Sequence, residues 1–90
     1  MSDLSQKFED AQERVKGLKS RPDSDALLEL YSFYKQATAG DCNIPPPKGM
    51  FDLQGKAKHE AWSNRKGLSA DKAMQQYIKL VDALVKRDHR

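Results

Sequence analysis

The stretch Tyr31-Ser-Phe-Tyr-Lys-Gln-Ala-Thr-Ala-Gly-Asp41 decides the reading of this chain. Positions three and four apart share a helix face, so Tyr31, Tyr34 and Lys35 project together as two phenolic surfaces beside a cationic head. That grouping suits a nucleotide phosphate. Upstream, Asp23, Ser24 and Asp25 supply cap oxygens and negative charge for the start of this helix, and Gly40 is a terminator. Leu27, Leu30, Tyr31, Tyr34 and Thr38 are predicted to line one of its faces. Leu28, Phe33 and Ala37 broaden the apolar band, which implies more than one packing neighbour.

Working outward, Leu4, Phe8, Ala11, Val15 and Leu18 recur every three or four positions and predict a first helix from about Asp3 to about Ser20. Ser2 or Asp3 is available to cap it, and Pro22 is expected to end it. After Gly40, the prolines at positions 45–47 remove amide donors and impose extended backbone. A short third helix is expected over about Asp52 to Asn64, with Leu53, Ala57, Ala61 and Trp62 inward. Lys66-Gly67 then breaks the pattern, and Ser69 can cap a fourth helix. Met74, Tyr77, Ile78, Val81, Leu84 and Val85 form its stripe, and Lys86, Arg87, His89 and Arg90 lie where positive charge complements the helix dipole. With no alternating strand pattern and no internal repeat, the expectation is all-α, four amphipathic helices around one core.

Ninety residues make one small domain, here 1–90, since a chain of this size buries roughly two-thirds of its surface on folding. No apolar run reaches the roughly 18 residues of a membrane span. The opening Met-Ser-Asp-Leu-Ser-Gln-Lys resembles neither a secretory signal nor a transit peptide, so a cytoplasmic location is expected. The single cysteine, Cys42, has no internal partner and no ligand-spaced neighbour, which fits a reducing compartment and a plain loop residue. A net charge of +3 attracts anions without forming the dense cationic stripe of a nucleic-acid binder. His59 and His89 have no nucleophile at a recognisable spacing, and no metal-ligand pattern occurs, so neither catalysis nor a metal is expected.

A second segment, Gly55-Lys-Ala-Lys-His-Glu-Ala-Trp62, adds two cations and an anchoring tryptophan. Lys56 and Lys58, two residues apart, point in different directions on a helix, and Lys58 ranks first. In this order and at this separation the two segments closely resemble the acyl-CoA-binding protein family. The resemblance runs from Phe8 through Leu18, Pro22 and Lys66-Gly67 to Ala73, Tyr77 and Ile78.

The resemblance implies an up-down-down-up four-helix bundle with a long crossover between the second and third helices. It also implies a carrier of medium- and long-chain fatty acyl-CoA, with no cofactor. It assigns Tyr31, Lys35 and Lys58 to the 3'-phosphate of the CoA adenosine, Tyr34 and Tyr77 to further ligand contacts, and Lys16 to the phosphate and pantetheine region. Ammonium groups and phenols make charge-assisted hydrogen bonds to a phosphate, and aromatic faces pack against adenine. The implied partners are acyl-CoA-using enzymes and transient membrane surfaces, with no nucleic acid, for a monomer.

Two positions depart from the family pattern. Gln54 stands where many members carry a lysine, removing one cation, and His59 stands where an aromatic, commonly tryptophan, is usual. The loop also runs one residue longer than is typical and is richer in proline. The competing readings are a helical protein-interaction module, with Tyr31 and Tyr34 as packing residues, and a weak nucleic-acid binder. Acidic residues interspersed along all four helices count against the second.

Overall fold

The helices form where the apolar spacing and the caps coincide. In the computed structural model, which describes residues 3–88, they are α1 (Asp3–Lys16), α2 (Ser24–Ala39), α3 (Leu53–Ser63) and α4 (Ala70–Asp88), and no strand occurs among the described residues. Asp23 caps α2 by accepting from the Ala26 amide at 2.8 Å, and Asp52 caps α3 by accepting from the Gly55 amide at 3.0 Å. A side chain at Gly55 would collide with that Asp52 carboxylate, so any other residue there would push the cap aside. Gly40 ends α2 at φ 81°, a conformation that glycine adopts without steric cost.

Contacts along the helices give their directions. Phe8 meets Tyr77, Arg14 pairs with Asp82 at 2.7 Å, and the Lys19 amide reaches the Asp88 carboxylate, so α1 and α4 run parallel. The end of α2 lies against the start of α4, because Gln36 Nε2 donates to the Leu68 carbonyl at 2.9 Å. Tyr31 lies beside Lys58 and Lys35 beside Trp62, so α3 runs parallel to α2. The topology is therefore up-down-down-up. The core of Phe8, Ala11, Leu30, Tyr77, Val81 and Leu84 is shared by α1, α2 and α4, while α3 packs against α2 alone.

Three expectations change. First, α1 stops at Lys16, short of Ser20. The Gly17 and Leu18 amides turn back to the Arg14 and Val15 carbonyls, and Asp88 takes the Lys19 and Ser20 amides at 2.8 and 3.0 Å. Second, the deepest side of α2 is partly polar. Ser32 (0% exposed) and Gln36 (1%) are buried, whereas Tyr34 (39%) and Thr38 are exposed. The Ser32 hydroxyl donates to the Glu29 carbonyl and accepts from Arg65 Nε, so its burial leaves no unpaired polar atom. Third, Leu53 is 74% exposed, because α3 meets one helix and Trp62 fills that contact. Ser2, His89 and Arg90 lie outside the described residues.

Candidate functional site

Helix α3 has one neighbour, so its placement depends on a few specific bonds. Trp62, 3% exposed, donates its indole N–H to the Gly40 carbonyl at 2.8 Å. Arg65 stacks 4.1 Å from the Phe33 ring centroid and donates to Ser32 at 3.0 Å. His59 Nε2 lies 2.8 Å from the Ile44 carbonyl oxygen, an acceptor, so this nitrogen carries the proton and ties the proline-bearing loop to α3. His59 is thus a loop anchor; sequence reading registered it only as a departure from an aromatic.

The consequence is a shared face of α2 and α3. Lys58 Nζ stands 5.3 Å from the Tyr31 ring centroid, and Lys35 Nζ stands 4.9 Å from that of Trp62. Both ammonium groups sit over aromatic rings, an arrangement that holds a cation without neutralising it with a carboxylate. Tyr34 stacks on Phe8 at 6.0 Å between centroids, and Phe8 meets Tyr77 edge-on at 5.0 Å, so an aromatic row crosses from α2 through α1 to α4.

The structure therefore brings Tyr31 and Lys58 into contact and links Tyr34 to Tyr77 through Phe8. Lys35 is aimed at Trp62, and Lys16 is paired with Glu13 at 3.3 Å on the exposed side of α1. Tyr77 is buried at 6% exposure, and this burial, with the Tyr34 phenol adding a smaller push, raises its phenol above the ordinary value of 10.0. Trp62 anchors α3 as its place in the second segment implied, and Phe8 and Asp41 are the structural contributors that a search for cations and phenols passed over. Phe8 was visible in the α1 stripe, but its partners were not.

Asp41 closes the end of the site. Its Oδ1 accepts from the Gly67 amide at 2.9 Å and from Gln36 Nε2 at 2.8 Å, joining the end of α2 to the turn before α4. The Gly67 amide, then the Gln36 amide, hold the Asp41 carboxyl below its usual value of 3.8. A cavity of about 420 Å³ lies at the opposite end of the bundle, lined by Leu18, Arg21, Asp23, Ala26, Leu84 and Arg87, away from the tyrosines. Among the described residues no three His, Cys, Asp or Glu side chains converge as a metal site, and no helix is long and apolar enough to cross a membrane.

Residues 5–81 match the family model for the acyl CoA binding protein. An acyl-CoA-binding protein homolog of Drosophila melanogaster is 48% identical over 82 residues, covering 91% of this chain and 94% of that protein. An acyl-CoA-binding protein homolog 1 of Caenorhabditis elegans is 50% identical over 78 residues, covering 87% and 90%. Among solved structures, the Oryza sativa acyl-CoA-binding protein 2 superposes with a TM-score of 0.88 at 35% identity, covering 96% of this chain and 94% of that one.

Proposed function

The chain belongs to the acyl-CoA-binding protein family, and from that premise we propose that Tyr31, Lys35 and Lys58 take the 3'-phosphate of the CoA adenosine. The protein binds medium- and long-chain fatty acyl-CoA thioesters and acts as a pool former and carrier for them. The observation that supports the site is the Lys58–Tyr31 contact, which joins the two diagnostic segments across α2 and α3.

Lys35 and Lys58 supply charge to the phosphate, and the phenols supply hydrogen bonds and aromatic faces. Lysine does this as a point charge, without the fixed fork of arginine. Tyr34 and Tyr77 contribute further ligand contacts from the aromatic row, and Lys16 reaches the phosphate and pantetheine region after leaving Glu13. A solvated pair such as Lys16–Glu13 costs little to break.

The acyl chain lies in a surface groove between helices. At about 0.8 kcal/mol per buried methylene, a palmitoyl chain supplies on the order of 10 kcal/mol before ordering costs, so the tail dominates affinity and the head group dominates specificity. The whole chain, 1–90, acts as one monomeric, non-catalytic domain in the cytoplasm. It delivers its cargo to acyl-CoA-using enzymes and membrane surfaces. The interaction-module and nucleic-acid readings have no comparable support.

Calorimetric titration with palmitoyl-CoA, with free CoA and palmitate as controls, tests this reading. Tight one-to-one binding of the thioester, with both fragments weak, is expected. Absence of any heat or competition would leave the family fold without its ligand.

A further inference from the structure

The cavity of about 420 Å³ at the far end of the bundle lies away from every residue assigned to acyl-CoA, and its wall is amphipathic. Leu84 belongs to the core, and Leu18 and Ala26 pack against that core, so together with Pro22 they give the cavity an apolar side. Its shape is fixed before anything enters. The two carboxylate oxygens of Asp88 hold the Lys19 and Ser20 amides, which ties the connection between α1 and α2 to the end of α4, and the Asp23 cap holds the start of α2. A preformed hollow of this volume has the size of a small-molecule site and little ordering to lose on binding.

The charges on the wall select the ligand. Arg21 and Arg87 line the cavity as exposed residues, and among the described residues neither guanidinium is in an ion pair. The two acids of the same wall are already engaged, Asp23 with the Ala26 amide and Asp88 with the two amides of the connection. What remains is a pair of planar cationic donors beside a small apolar surface. A guanidinium takes a carboxylate through two parallel N–H bonds, and near Asp23 and Asp88 a single negative charge is repelled less than a phosphate dianion. Four apolar residues cover a short tail and not a long one. We propose that this cavity binds a medium-chain monocarboxylate of about six to ten carbons, its carboxylate on Arg21 and Arg87 and its chain against Leu18, Pro22, Ala26 and Leu84. The site is separate from Tyr31, Lys35 and Lys58 and does not depend on the acyl-CoA reading.

The test is titration of the isotope-labelled full chain with sodium octanoate below its critical micelle concentration, followed by amide NMR. Sodium acetate, which has the charge without the chain, and octanol, which has the chain without the charge, are the comparison ligands. Octanoate is expected to shift the Lys19, Ser20, Ala26 and Leu84 amides saturably, and acetate and octanol should bind roughly tenfold or more weakly than it does. Arg21→Ala/Arg87→Ala should weaken octanoate binding by roughly tenfold or more, the loss for charge-assisted hydrogen bonds, and should still titrate palmitoyl-CoA as the native protein does. Saturating the native protein with palmitoyl-CoA beforehand should leave octanoate binding unchanged.

Equal octanoate affinity in native protein and double variant overturns the proposal. So do octanoate shifts confined to the Tyr31, Tyr34 and Lys58 amides, or octanoate displaced by palmitoyl-CoA, either of which would seat the carboxylate in the acyl-CoA site. Acetate bound as tightly as octanoate would reduce the ligand to an adventitious ion only, and octanol bound as tightly would remove the role of the arginines. A native protein that takes octanoate in this cavity but binds no palmitoyl-CoA would refute the carrier reading and leave the carboxylate site standing.

Discussion

The Lys35 ammonium stands 4.9 Å from the centroid of the Trp62 ring, so a cation of α2 is positioned by an aromatic of α3. Trp62 is buried and bonded to Gly40, which makes it a rigid support as well as a reporter.

A ligand phosphate that draws Lys35 off the indole changes the surroundings of the only tryptophan in the chain. Palmitoyl-CoA is expected to produce a saturable change in intrinsic emission. Lys35→Ala should remove much of that change and weaken binding by about ten- to a hundredfold, the loss for one charge-assisted hydrogen bond. Lys58→Ala should weaken binding comparably. Unchanged affinity in both variants would place the phosphate elsewhere.

Trp62→Phe keeps most of the packing and removes the N–H that satisfies the Gly40 carbonyl. Urea unfolding should show a loss of roughly 1–3 kcal/mol for this variant, and roughly 3–5 kcal/mol for Trp62→Ala, which also leaves a cavity. Since α3 packs on α2 alone, palmitoyl-CoA affinity should fall in Trp62→Ala even where the α1, α2 and α4 core survives.

Asp41 links α2 to the turn before α4 more strongly when it is ionised, because a carboxylate accepts the two N–H bonds better than the neutral acid does. Its carboxyl is held below 3.8 in the folded protein, so its contribution is fully present above the unfolded value and is lost as pH falls below it, through the lowered folded value. Asp41→Ala should lower the melting temperature at pH 7, and the difference from the native protein should shrink below about pH 4. Thermal melts across that range check the sign; a gap that persisted undiminished in acid would mean that the charge is irrelevant.

Tyr77 keeps its proton above pH 10 in the folded state. A raised folded value means that its contribution is fully present below 10 and declines as pH rises beyond it, because the unfolded chain loses that proton first. Spectrophotometric titration of tyrosinate absorbance should show a late-ionising phase that disappears in Tyr77→Phe. Denaturing the native protein should shift that phase down.

How much was legible follows from what each signal measures. Periodicity reports local amphipathicity, so the stripes of α1 and α4, carried by Phe8, Ala11, Tyr77, Val81 and Leu84, matched the core. It does not report which polar groups will find partners. Ser32, paired through its hydroxyl, and Gln36, paired through Nε2 though not through Oε1, are buried on α2 while Tyr34 and Thr38 face water, and Leu53 remains exposed on a helix with one neighbour. The candidate residues were named from two segments and a family resemblance. Their contacts came from the chain's return: Lys58 reaches Tyr31 because α3 runs parallel to α2.

The amino-acid sequence by itself determined the number of helices, their approximate bounds, the cap oxygens at Asp23, and the family. All of these are encoded within a few residues or within one diagnostic pattern. Only the tertiary structure decided that Asp88 ends the first connection by binding the Lys19 and Ser20 amides, that Asp41 clasps Gly67, and that Phe8 lies between Tyr34 and Tyr77. Each joins residues at least 26 positions apart, and a hydrogen bond or ring contact at that separation is created by the packing of helices, not by the local spacing that forms them.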